Sequence, residues 1–196
     1  MVIVKIIGGL GNQMFQYATA RAIAYRNKTS IKLDLSDFAT YEHHDYSLGH
    51  FNIIEDIAKP EELARFKKYE QFLMSVPSIA LKILKKLKLD RKILILGHYM
   101  KEYNFPFNQT IKDLKEDVYL DGYWQSEKYF YEIRDILKKE FSIKGGLSPE
   151  GAEIASIIQS VKNPICLHIR RGDFANNPEQ AKYHGLCSME YYYKAI

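Results

Sequence analysis

The chain has 196 residues, 46% hydrophobic and 27% charged, with 28 Lys and Arg against 24 Asp and Glu for a formal charge of +4. That length suits one large or two small domains with a real core, and the small positive charge admits anionic ligands without demanding nucleic acid as a partner. Two cysteines, Cys166 and Cys187, make no disulfide framework, and no window reaches the roughly 18 apolar residues of a membrane span.

Residues 1–7 are too few for the apolar region of a signal peptide, so a cytoplasmic location is expected. Residues 2–7 read as a strand, followed by Gly8-Gly9-Leu10-Gly11-Asn12-Gln13-Met14-Phe15-Gln16-Tyr17-Ala18. Phe15, Ala18, Ala22 and Tyr25 have helical spacing, which predicts a helix over about 12–25 with Asn12 as its N-cap. Strand, glycine turn and helix form the first unit of a Rossmann-like half, in which glycines let a ligand approach the backbone closely. Asp34 ends the next strand, 31–35, at a spacing that suits a dinucleotide site. However, Met14 stands where the fingerprint Gly-x-Gly-x-x-Gly needs its third glycine, so NAD binding is the weaker reading. Asn12 and Gln13 offer amide donors and acceptors suited to a hydroxyl-rich ligand.

His43-His44-Asp45 with His50 has metal-ligating residue types, but adjacent histidines rarely converge on one ion and no metal site is expected. Residues 63–89 read as one or two helices interrupted at Pro77. Over 81–92, Lys82, Lys85, Lys86, Lys88, Arg91 and Lys92 interleave with leucines and Ile83. This is a solvated face, or a basic amphipathic stretch making peripheral contact with an anionic membrane surface. Residues 93–96 and 118–123 are strand candidates, and Ser126 is placed to cap a helix over 127–140. Two serines, two glycines and a proline mark 142–149 as a linker.

A helix over 150–161 then leads into an apolar strand, 164–170, with Cys166 as a small core residue. The strand ends in His168-Ile169-Arg170-Arg171-Gly172-Asp173. Two guanidinium groups at a strand's carboxyl end present planar forks of donors suited to an anion, a nucleotide diphosphate being the commonest of that size. The plainer alternative is a surface network pairing Arg171 with Asp173. Alternation along a strand puts His168 and Arg170 on one face and Arg171 on the other, which favours Arg170 for the diphosphate. Asp173 then serves to orient an arginine. Residues 188–196 read as a helix cut off after about two turns, and the chain is expected to be an N-terminal portion.

The eleven-residue opening and the His-x-Arg-Arg-x-Asp motif, together with Gly122-Tyr123-Trp124-Gln125-Ser126-Glu127-Lys128-Tyr129-Phe130 and His184-Gly185-Leu186-Cys187-Ser188 before Tyr191-Tyr192, resemble bacterial α-1,2-fucosyltransferases of glycosyltransferase family 11. The resemblance implies an α/β fold of the GT-B kind. A Rossmann-like acceptor-side domain over 1–146 is followed by the start of a second Rossmann-like domain, over 147–196, that binds GDP-fucose. It implies inverting transfer of L-fucose to O2 of a terminal β-galactoside in surface-glycan or O-antigen synthesis, with no cofactor and no metal. It puts Arg170, with His168, Arg171 and Asp173, on the donor. Gly9, Gly11, Asn12, Gln13, Trp124 and Gln125 fall on the acceptor. Glu179 and His184 are candidates for the catalytic base, since a carboxylate or imidazole ordinarily accepts the acceptor hydroxyl's proton. The alternatives are a related fucosyltransferase with another acceptor and a sugar-binding module without turnover.

Overall fold

The computed structural model describes residues 1–41, 44–75, 99–102, 106–115, 117–169, 176, 179, 181–182 and 185–195. It divides into two compact units, Met1–Gly146 and Leu147–Ile196. The first is α/β and Rossmann-like. Its elements are β1 (Val2–Lys5), α1 (Leu10–Asn27), β2 (Ile31–Asp34), α2 (Pro60–Ser75), β3 (Tyr99–Lys101), α3 (Gln109–Lys112), β4 (Val118–Asp121) and α4 (Arg134–Glu140). The four strands form one parallel sheet in the order β2-β1-β4-β3, with Val2 opposite both Ile31 and Val118, and Tyr99 opposite Tyr119.

A parallel strand covered on both faces is apolar at successive positions rather than alternately, and β1 shows why. Val2, Val4 and Ile6 join Ile31, Leu33, Val118 and Leu120 in the larger core, with the alanines of α1 and with Ile133 and Leu137. Ile3 points the other way, into a smaller cluster with Leu63 and Phe66 of α2, Tyr99 and Tyr119. Ala18 and Ala22 on one side of α1 and Ala20 and Ala24 on the other are all buried, so the helix carries little bulk and packs closely on both sides. Tyr17, fully buried, ties α1 to α4: its hydroxyl donates to Glu140 Oε2 at 2.8 Å and accepts from Ile54 N at 3.0 Å, while Arg21 Nε donates to Glu140 Oε1 at 3.0 Å.

Several boundaries differ from the sequence expectation, each for a local reason. α1 begins two residues early, at Leu10, with Gly9 as its N-cap; Asn12 therefore lies in the first turn and is not the cap. The segment expected as one helix over 127–140 is two short 3-10 turns, Glu127–Tyr129 and Tyr131–Ile133, before α4. Phe130 sits between them at φ −135° and packs on Phe15 at 5.7 Å, while Tyr129 is held by Phe107 and by Asn108 N, which donates to its hydroxyl at 2.8 Å. Those anchors override helix propensity, and Ser126 makes no side-chain cap. β3 and α3 have only three and four residues, too few for a periodic signal. The expected strand over 93–96 and the basic stretch over 81–92 lie outside the described residues.

In the second unit, α5 (Pro149–Ser160) has Pro149 at its start, and Ser148 Oγ accepts from Gly151 N at 3.1 Å. α6 (Met189–Ala195) follows Ser188, whose Oγ accepts from Tyr191 N at 3.2 Å. The strand expected over 164–170 does not form in its described part: residues 161–169 are exposed and carry no strand, and Ile165 is 94% exposed. Cys166 is likewise an exposed thiol rather than a core residue, and Cys187 is exposed as well. A parallel strand is stabilised by paired neighbours and covered faces, and no described residue pairs with this one. No helix among the described residues is long and apolar enough to cross a membrane.

Candidate functional site

Ligands of open α/β sheets bind outside the carboxyl ends of the strands, and in the first unit that edge is built by the segments leaving β1 and β4. After β1 the chain turns at Gly8, whose φ of +83° is costly for any residue with a side chain, and where a Cβ would come within 2.9 Å of Asn12 Nδ2. Beneath the turn, Gln16 Oε1 accepts from Ile7 N at 3.0 Å.

Gln13 is fully buried. Its Nε2 donates to Gly8 O at 2.7 Å and Asp45 O at 2.9 Å, and its Oε1 accepts from Ser47 N at 2.9 Å. One amide therefore fastens the glycine turn to the loop at 44–47. With its donors and acceptor spent on backbone, Gln13 acts on a ligand through what it positions. That loop lays the exposed His44 ring against Gly9, where an added Cβ would meet it at 3.6 Å, with the Tyr41 ring 6.2 Å from the imidazole.

The segment after β4 is held as firmly. Glu102 Oε2 accepts from Tyr123 N at 2.6 Å and Trp124 N at 3.1 Å. Gly122 has no room for a side chain, since a Cβ would fall 2.3 Å from Glu102 Cβ, and Trp124 adopts a left-handed φ of +54°. Trp124 is 1% exposed, its ring edge-on to Tyr129. Its indole N–H and Glu102 Oε1 are both buried without partners, a cost the close packing has to offset. The outcome is that Tyr123 stands beside Gly8, and Gln125 Nε2 donates to Asn12 Oδ1 at 2.7 Å. Burial pushes the Tyr123 phenol above its ordinary pKa, with Tyr41, Asp121 and Glu102 adding to the rise.

The structure thus brings Gly9, Gly11, Asn12, Gln13, Trp124 and Gln125 to one edge, with Gln13 and Trp124 buried and Asn12 paired to Gln125. In the second unit, His168 and Glu179 are exposed, while Arg170, Arg171, Asp173 and His184 lie outside the described residues. Asp34, the residue spaced to hold a dinucleotide ribose, is buried. Its Oδ2 accepts from the Tyr119 hydroxyl at 2.7 Å and its Oδ1 from Ser36 N at 3.0 Å, so it serves the sheet. Among the described residues no three His, Cys, Asp or Glu side chains are grouped to hold a metal; His43 is not among them. Sequence reasoning missed Glu102, whose partner segment lies twenty residues downstream, and treated His44 only as a metal-ligand type.

A family model described as "Glycosyl transferase family 11" matches residues 1–196. The chain is 32% identical over 198 residues to an alpha-1,2-colitosyltransferase of Escherichia coli, an alignment covering 100% of this chain and 63% of that protein. It is also 32% identical over 208 residues to the O-antigen biosynthesis glycosyltransferase WbnK of Escherichia coli, covering 96% of this chain and 65% of the relative. The chain therefore spans just under two thirds of the length of these relatives. No solved structure matches it.

Proposed function

This chain belongs to glycosyl transferase family 11, and we propose that the protein carrying it transfers L-fucose from GDP-fucose to O2 of a terminal β-galactoside with inversion, during cytoplasmic assembly of a bacterial surface glycan. The observation that supports this most is the match of the family to the whole chain, joined to an edge of amide, glycine and aromatic groups at the carboxyl ends of β1 and β4. In this reading the first unit is the acceptor side of a GT-B enzyme, with Gly9, Gly11, Asn12 and Gln125 facing the acceptor and Gln13 and Trp124 holding them. The second unit begins the GDP-fucose domain.

The chemistry asks for stabilisation of charge on the leaving β-phosphate as the anomeric C–O bond breaks. A guanidinium does this by bidentate donation that tightens as the charge develops. Arg170 takes that role, His168 and Arg171 support donor binding, and Asp173 orients an arginine. Glu179 or His184 accepts the proton of the acceptor hydroxyl as the new C–O bond forms.

A second reading is a colitosyl donor, favoured by the alpha-1,2-colitosyltransferase relative. The deciding experiment offers the full-length protein GDP-fucose or GDP-colitose with methyl β-galactoside and reads linkage and anomeric configuration by NMR. Transfer is expected from GDP-fucose, to O2, in the α configuration, and it should continue in EDTA. Transfer restored only by added manganese or magnesium would overturn the arginine mechanism, and preference for GDP-colitose would select the second reading.

A further inference from the structure

The glycines of the first turn divide into those the fold requires and those it does not. Gly8 is required by its positive φ and by Asn12. Gly9 is in ordinary extended backbone, φ −69° and ψ 167°, and a Cβ there would make only a normal contact with the His44 ring at 3.6 Å. Gly11 lies inside α1, and a Cβ there would meet nothing within 4 Å. Alanine at Gly11 would favour the helix, so the fold gives no reason for glycine there; at Gly9 the packing gives none either, although glycine is a better N-cap than alanine.

Around this bare backbone stand side chains of one chemical character. His44 lies against Gly9, with Tyr41 beyond it; Tyr123 stands beside Gly8; and the Asn12–Gln125 amide pair closes the side toward β4. Aromatic rings with amide groups over a floor without side chains fit the apolar face and hydroxyl edge of a hexose. The loop carrying His44 is fastened by the buried amide of Gln13, and the His44 ring is exposed to an occupant.

Resting on the acceptor-side reading above, we propose that the open backbone at Gly9 and Gly11 is the floor of the acceptor-sugar subsite and that His44 selects the hexose lying on it. Isotope-labelled chain titrated with methyl β-galactoside, and separately with methyl α-mannoside, tests this by NMR. The galactoside, and not the mannoside, is expected to shift the His44 imidazole together with the Asn12 and Gln125 side-chain amides. Gly9→Ala and His44→Ala should each raise the dissociation constant by roughly tenfold or more, with circular dichroism unchanged in both and melting lowered only slightly, in Gly9→Ala, by the poorer N-cap. His44→Phe keeps the ring and should lose discrimination between the two sugars more than affinity. If the amides shift while His44 does not, and His44→Ala binds as the parent does, the role of His44 falls and the acceptor-side reading stands. If no resonance of the first unit responds to either sugar, both fall.

Discussion

Residues 2–6 and residues 164–169 are similar apolar runs, yet only the first becomes a strand. Val2, Ile3, Val4 and Ile6 are fully buried, clasped between β2 and β4 and covered by α1 on one face and α2 on the other. Ile165, Leu167 and Ile169 are exposed, and α5 shows Ile154, Ile157 and Ile158 more than half exposed. Side chains alone do not make a core strand; paired edges and covered faces do. The difference assigns different kinds of work. In Met1–Gly146 Gln13 and Trp124 sit at the candidate edge and are also part of the packing, whereas on the proposed function a change in Leu147–Ile196 is expected to alter activity and leave stability alone.

The strongest way to sharpen that contrast is Arg170→Lys in the full-length protein. A point charge cannot reproduce a bidentate contact to phosphate, and loss of a donor aimed at developing charge costs ~10²–10³ in rate. We expect kcat and kcat/KM for GDP-fucose to fall together by about that factor, with circular dichroism and melting unchanged. Turnover near the parent's would remove Arg170 from the mechanism.

Gln13→Ala tests the opposite property. It strips partners from Ser47 N–H and from two carbonyls, of which the bond to Gly8 O is fully buried and the other two partly so; an unsatisfied buried group costs about 1–3 kcal/mol. Thermal melting should drop by several degrees, with acceptor KM raised and GDP-fucose hydrolysis retained. A change in melting alone would make the clamp merely structural.

Gly122→Ala forces a Cβ against Glu102, and overpacking of this kind costs about 1–3 kcal/mol. Denaturant titration should show it, and Glu102→Ala in the same background should not recover the loss, because alanine keeps the clashing Cβ and leaves Tyr123 N and Trp124 N without their acceptor. The smallest effect is expected from Ile157→Ser on α5, within about 0.5 kcal/mol in this 196-residue chain. A melting shift several times larger would show that this face is covered and would break the contrast.

The first unit was largely legible because its signals are local. A short apolar run, a glycine turn and an alanine-rich helix announce β1 and α1, while Ser148-Pro149, read as linker, proves to be the cap and first residue of α5. What was illegible depends on contacts far apart in sequence. The break at Phe130 comes from Phe15, the burial of Asp34 from Tyr119, and the shape of the 122–125 segment from Glu102. Gln13 shows the same limit within the site. Its place in the motif marks it as important, but only the backbone of Asp45 and Ser47, more than thirty residues away, shows that it serves as a fastener.

The chain's single tryptophan, Trp124, lies one residue from the Asn12–Gln125 pair, sealed from water and with its indole N–H unpartnered. Its emission is consequently a built-in optical gauge of this one loop. An indole in so dry a setting fluoresces toward the blue, and any sugar, variant or temperature that loosens the 122–125 segment will hydrate the ring and redden the spectrum. Local opening of the acceptor edge can thus be followed apart from global unfolding, without attaching a label.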